Sequence, residues 1–192
     1  MNYLKSLANI FKLIYFHPLT KKHRWLAFCR FVKWQIGSRL IQKKIIVPWV
    51  EDSKFVIERG ETGLSGNLYT GFMEFEDMVF LLHALQSSHK FIDIGANIGA
   101  YTILASKVVK APSLAFEPVP DTVNRLRDQL YLNGIEDRVE VKNIGIGNKN
   151  DFLHFTNNSD TTNSEVVYSF KFIFSVFLIL FINRQAKAIK WN

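Results

Sequence analysis

The chain has 192 residues, a formal net charge of +7, 48% apolar residues and one cysteine. That length allows a single domain of ordinary size with a real core, and the lone Cys29 excludes an internal disulfide and suits a reducing, cytoplasmic compartment. The charge is uneven: residues 1–50 hold ten Lys or Arg and no acid, so the other 14 basic and 17 acidic residues leave a net of −3.

In chain order, Leu4, Leu7, Ile10, Phe11 and Ile14 recur at helical spacing and predict an amphipathic helix that His17-Pro18 ends. Lys5 and Lys12 interrupt its apolar stretch and no small-residue cleavage site follows, so it does not read as a secretory leader. A second basic helix is expected from Thr20, as N-cap, to about Leu40. For this basic arm, residues 1–43, one reading is a solvated charged face on helices that pack against the domain. Another is peripheral membrane contact through residues 1–40, because basic amphipathic helices with Trp and Phe lie well in an anionic headgroup layer. Nucleic acid is not an expected partner, since basic residues alone do not make a binding fold. His17 and His23 lack ligand partners at metal spacing, and no metal site is expected anywhere.

Residues 44–90 form the next segment. Lys44 to Val50 and Lys54 to Glu58 predict a hairpin turning at Glu51-Asp52-Ser53. Arg59 to Gly71 carries four glycines and reads as a long functional loop. Glu74 to Gln86 reads as a helix with an acidic first turn. Tyr69, Glu74 and Glu76 are candidates for lining a site nearby.

The most informative stretch is Phe91-Ile-Asp-Ile-Gly-Ala-Asn-Ile-Gly-Ala-Tyr101, a short buried strand, a glycine turn and a helix start. Glycines bring bare backbone amides close to a ligand, and the helix N-terminus adds partial positive charge. A dinucleotide fingerprint requires Gly-x-Gly-x-x-Gly, yet its middle position here is Asn97. The pattern Asp93-x-Gly95-x-Asn97-x-Gly99, with an acid before the turn, suits a ligand bearing a cationic amino group better than one bearing two phosphates. A second strand, Ser113 to Phe116, ends in Glu117, 22 residues beyond Gly95, where an acid in doubly wound sheets accepts hydrogen bonds from ribose hydroxyls. After it come a helix from Pro120-Asp121, with Asp121 as N-cap, to Asn133-Gly134, and a third strand, Arg138 to Ile144. Strand alternating with helix predicts an α/β fold with a parallel sheet and crossover helices, whose ligands bind beyond the C-terminal strand ends.

At these residues the chain resembles the FkbM-type S-adenosylmethionine-dependent methyltransferases. The segment from Phe91 to Thr102 is similar to that family's first motif and Ala115-Phe-Glu-Pro118 to its second; Thr62 to Gly71 and Glu74-Phe-Glu-Asp77 also look like members of the family. The resemblance covers roughly residues 17–167. It implies a Rossmann-like class I methyltransferase sheet preceded by N-terminal helices and a hairpin, with S-adenosylmethionine as cofactor and the hydroxyl of a small molecule or glycan as methyl acceptor. By the same resemblance Asp93, Gly95, Asn97 and Gly99 would cradle the methionine end of the cofactor, Glu117 would hold its ribose, and Tyr101, inside the first motif, would join the cofactor-binding set. No catalytic residue is assigned.

Beyond about Val167 the resemblance stops. Residues 91–167 therefore read as a partial cofactor-binding domain and residues 168–192 as an aberrant hydrophobic tail, with no Gly, Pro or acid. Its longest uncharged run, Phe172 to Ile182, is short for a membrane span. The sudden loss of caps and turn residues suggests a segment never selected with the rest, so a frameshift or premature junction near Val167 is expected, leaving the sheet incomplete and catalysis absent or feeble; the competing reading is a genuine hydrophobic anchor, which would account for the Phe-Ile-Leu run and the trailing basic residues but not for the missing strands. Such a remnant would expose the edge of its first strand at Phe91 to Ile94.

Overall fold

The structure is a computed structural model that describes residues 3–41 and 43–146 and the strand Ile182–Asn183. The remainder of the tail, with the expected junction near Val167, lies outside the described residues. Two compact units divide the chain, one running to Val79 and the other starting at Phe80.

In the first unit, helix α1 (Tyr3–Phe16) leads through a 3-10 turn (Pro18–Thr20) into helix α2 (Arg24–Leu40). His17 is extended, as a residue before proline prefers, and its ring fastens the elbow. Its Nδ1 accepts the Leu19 amide at 3.2 Å while Nε2–H donates to the Phe72 carbonyl, and burial pushes its pKa down. Thr20 does not start α2, as the sequence led one to expect. Its hydroxyl donates backwards to the Ile14 and His17 carbonyls, closing the C-terminal end of α1, and α2 begins only at Arg24.

Strands β1 (Ile45–Pro48) and β2 (Lys54–Ile57) form the antiparallel hairpin, in register from Ile45↔Ile57 to Pro48↔Lys54. Phe55 and Ile57 are fully buried, and Trp49 stacks on Phe55 with ring centroids 4.2 Å apart. The segment expected to be a loop is instead mostly helix α3 (Thr62–Thr70). Its glycines cost helix propensity, but burial of Leu64 and Tyr69 outweighs that cost. At Gly66 a Cβ would sit 2.4 Å from the sulfur of Met73, a flexible and 38% exposed side chain that would have to move aside. Gly71, at φ 91°, ends the helix. Helix α4 (Phe75–Ala84) follows, with Glu76 and Asp77 in its first turn.

In the second unit β3 (His89–Ile94), β4 (Ser113–Phe116) and β5 (Val139–Lys142) form a parallel sheet, β3 paired with β4 from Phe91↔Ser113 to Ile94↔Phe116. Helix α5 (Ala100–Ile103) passes directly into a π-helical turn (Leu104–Val108), and helix α6 (Pro120–Asn133) crosses from β4 to β5. The unit is thus α/β, with β-α-β crossovers and helices packed on a parallel sheet. Leu126 and Leu130 of α6 pack with Ala96, Ala115, Ile135 and Val139 as its core. Asp121 is not the cap of α6. Val119 occupies that position with Pro120 behind it, which needs no amide partner, and Asp121 falls in the first turn, where its charge still favours the helix dipole. Gly134, left-handed at φ 62°, stops α6 as expected.

The edge of β3 is covered only ahead of the segment expected to be exposed. Strand β6 (Ile182–Asn183) pairs antiparallel with it at His89↔Asn183 and Lys90↔Ile182, giving the order β5-β4-β3-β6. Two rungs need only extended backbone, so pairing does not depend on the turn residues that the tail lacks. Among the described residues, Phe91 to Ile94 have no strand partner on that side.

Candidate functional site

The C-terminal ends of β3 and β4 lie side by side, and the loops leaving them are tied together. Leaving β3, Gly95, Asn97 and Gly99 all adopt positive φ, at 77°, 51° and 92°. The alternation folds the chain into a tight turn whose first two amides, Gly95 and Ala96, both donate to the Phe116 carbonyl at 2.9 Å. Gly99 is glycine for two reasons. Its φ is left-handed, and a Cβ there would lie 2.4 Å from Leu126 Cδ1. Gly95 differs: a Cβ would meet nothing within 4 Å, so only its φ demands glycine and the space beside it is open.

Glu117, the residue after β4, closes the turn. One carboxylate oxygen accepts the Asn97 amide at 2.9 Å and the other the Val119 amide at 3.0 Å. Asn143, just past β5, donates from Nδ2 to the Glu117 and Pro118 carbonyls, so all three parallel strands support this loop. Burial raises the Glu117 pKa, against the two amide hydrogen bonds that lower it. A carboxylate carries about four acceptor positions, and these two amides fill two of them.

Asp93 lies beneath the turn, 2% exposed, and accepts the Thr102 hydroxyl at 2.5 Å. Burial lifts its pKa to about 6, opposed by side-chain and backbone hydrogen bonds from Thr102 and assisted by the charge of Glu117. Two buried carboxylates at the mouth of a parallel sheet create a negative field that a cation would relieve. Thr102 ends the Phe91–Thr102 motif, and the sequence signal for its role is an acid followed nine residues later by a hydroxyl at a helix start. Tyr101 is buried on α5.

The structure therefore brings Asp93, Gly95, Asn97, Gly99 and Glu117 together, with Tyr101 on the adjoining helix. Tyr69, Glu74 and Glu76 belong to the first unit. Tyr69 is buried there, its ring edge-on to Phe31 at 5.3 Å, and burial raises its pKa. Glu74 and Glu76 are exposed at the start of α4. Among the described residues no group of three or more His, Cys, Asp or Glu side chains is placed to hold a metal ion.

No protein-family model and no curated protein matches the sequence. Among solved structures the chain is similar to an RNA methyltransferase from Salinibacter ruber in complex with S-adenosyl-L-homocysteine, at 25% identity over 35% of this chain and 43% of that one, with a TM-score of 0.32. It is also similar to P. horikoshii TYW2 in complex with MeSAdo, at 17% identity over 67% and 50% of the two chains and a TM-score of 0.44. A third is coclaurine N-methyltransferase bound to N-methylheliamine and SAH, at 14% identity over 74% and 44% and a TM-score of 0.35. The chain spans half or less of each of these structures. With TM-scores below 0.5 they add nothing to the fold assignment, which stands on the strand order and register above.

Proposed function

We propose that the second unit binds S-adenosylmethionine, and that the chain derives from a methyltransferase acting on a hydroxyl of a small molecule or glycan. The observation that carries this reading is the turn of three positive-φ residues, closed by Glu117 over a buried Asp93 at the ends of two adjacent parallel strands. The donor set fits the cofactor. Glu117 supplies a carboxylate for ribose hydroxyls, the buried acids supply the field for a cationic amino group, and the open side of Gly95 admits a ligand against bare backbone. The sequence resemblance to the FkbM-type family supports the same residues and supplies the acceptor class.

The bound cofactor would contribute an electrophilic methyl group on a sulfonium. The protein's share would be positioning: Glu117 and the turn amides fix one end of the ligand, and Asp93, itself oriented by Thr102, sets the electrostatics of the other. Calorimetric titration with S-adenosylmethionine and S-adenosylhomocysteine tests this. Glu117→Ala combined with Gly95→Val is expected to weaken binding at least about tenfold, because a hydrogen bond to a charged group contributes about 1.5–3 kcal/mol. Unchanged affinity in a variant that still folds, or no binding by the parent chain, would sink the assignment.

A second reading, cofactor binding without turnover, is favoured by the strand edge. Among the described residues Phe91 to Ile94 have no strand partner on the side away from β4, so no described strand supports that flank of the turn. Transfer of labelled methyl groups to hydroxyl acceptors at ordinary enzymatic rates would rule it out.

A further inference from the structure

Helix α2 is apolar on two opposite faces. Ala27, Phe31 and Trp34 are buried and form its inner face. On the other side Trp25, Cys29, Val32, Ile36 and Leu40 follow at spacings of four, three, four and four residues, one continuous helical stripe about 22 Å long. That stripe faces outward: Trp25 is 72% exposed, Ile36 55% and Leu40 78%. At the elbow it is extended by Tyr15 and Phe16, whose rings meet edge-to-face at 5.0 Å, with the Arg24 guanidinium 4.1 Å above the Tyr15 ring. On α2 itself and at the elbow the charged neighbours of this stripe are all basic. Arg30 and Lys33 run beside the stripe, Lys21, Lys22 and Arg24 gather at its start, and the first 50 residues contain no acid.

We propose that this outer face of α2, with the α1–α2 elbow, is a docking surface for an anionic phospholipid bilayer. Charge complementarity selects the partner. Self-association through this same face would oppose cations to cations, and a nucleic acid would satisfy the cations while leaving Ile36 and Leu40 in water. A headgroup layer meets both needs, phosphates for the rim and the acyl boundary for Trp25, Ile36 and Leu40. The contact is peripheral: among the described residues no helix is long and apolar enough to cross a membrane. It is independent of cofactor binding by the second unit.

The test is flotation of the full chain with vesicles of zwitterionic lipid alone and with about one-third anionic phospholipid, at low and high salt. Expected is flotation with the anionic vesicles only, weakened by salt. Trp25→Glu with Ile36→Glu, and separately Arg30→Glu with Lys33→Glu, are each expected to weaken partition at least about tenfold, since each basic residue near such a surface contributes a several-fold gain. Both pairs are at the surface, and an unchanged thermal melt confirms that they fold. Absence of flotation, equal flotation on neutral vesicles, or full flotation of either double variant overturns the proposal. So does salt-sensitive capture of single-stranded nucleic acid or an acidic protein without vesicle binding, or a lipid-free dimer abolished by Trp25→Glu.

Discussion

Gly99→Ala is expected to destabilise the second unit by about 2–5 kcal/mol, far more than the same change at Gly95. Two costs coincide at Gly99. A non-glycine residue at its φ of 92° is strained by about 1–3 kcal/mol. The new Cβ would also lie 2.4 Å from Leu126 Cδ1, and Leu126 is fully buried in the cluster with Leu130, Ile135 and Val139, so it has nowhere to retreat. Overpacking of that kind costs about 1–3 kcal/mol. A loss of unfolded-chain entropy of about 0.4–1 kcal/mol offsets part of the total. At Gly95 only the strain of φ 77° applies, and alanine there should cost about 1–2 kcal/mol. Urea unfolding of the parent and both variants checks the contrast. Equal losses at the two positions would mean that α6 does not press on the turn, and the packing described for Gly99 would be wrong.

The second large effect is in the pH dependence of stability. Asp93 has a folded pKa of about 6, above its ordinary value of 3.8, so between those values the folded state holds a proton that the unfolded chain has released. Stability from this group is therefore present at low pH and is lost as pH rises through about 6, a change of about 3 kcal/mol for roughly two pKa steps at 1.36 kcal/mol each. Glu117 is shifted in the same direction. Asp93→Asn, which keeps an acceptor for Thr102 but cannot ionise, should flatten that component, so the variant gains on the parent by up to about 3 kcal/mol between pH 4 and pH 7. Denaturant midpoints of both proteins across that range decide it, and parallel profiles would refute the assignment. Where a cationic ligand sits in the same field, its binding should pull the Asp93 pKa down and release protons near pH 6, and binding heats measured in buffers of different ionisation enthalpy should reveal that release in the parent but not in Asp93→Asn.

Much of the second unit was legible because its signals are local. A short apolar run leading into a glycine turn marks β3, the run from Ser113 to Phe116 matches β4 at both ends, and Asn133-Gly134 marks the stop of α6. What stayed hidden depended on partners distant in the chain. Gly60, Gly63, Gly66 and Gly71 read together as a loop, yet residues 62–70 form a helix that buries Leu64 and Tyr69. Spacing drew attention to Asp93 and Glu117, but not to what each one holds. The Asp93–Thr102 hydrogen bond depends on how α5 leaves the turn, and the Glu117–Asn97 bond on the two strands standing side by side. Likewise a hydroxyl residue ahead of a helix, Thr20, suggested a cap, while its actual acceptors lie behind it on α1.

The pairing of β6 with β3 also bears on the order in which the sheet assembles. Phe91 and Ser113, partners in the β3–β4 ladder, are 22 residues apart, and Ser113 and Val139 in the β4–β5 ladder are 26 apart, whereas His89 and Asn183 are 94 apart. Closing a loop about four times longer costs roughly 1.2 kcal/mol more in chain entropy, and two rungs return little against it. The three parallel strands should therefore zip first, with their two crossover helices, and β6 should join last and leave first. In native-state hydrogen exchange the His89 end of β3 would then open well below the global unfolding free energy, while the Phe91 to Ile94 amides turned toward β4 exchange only with the whole unit.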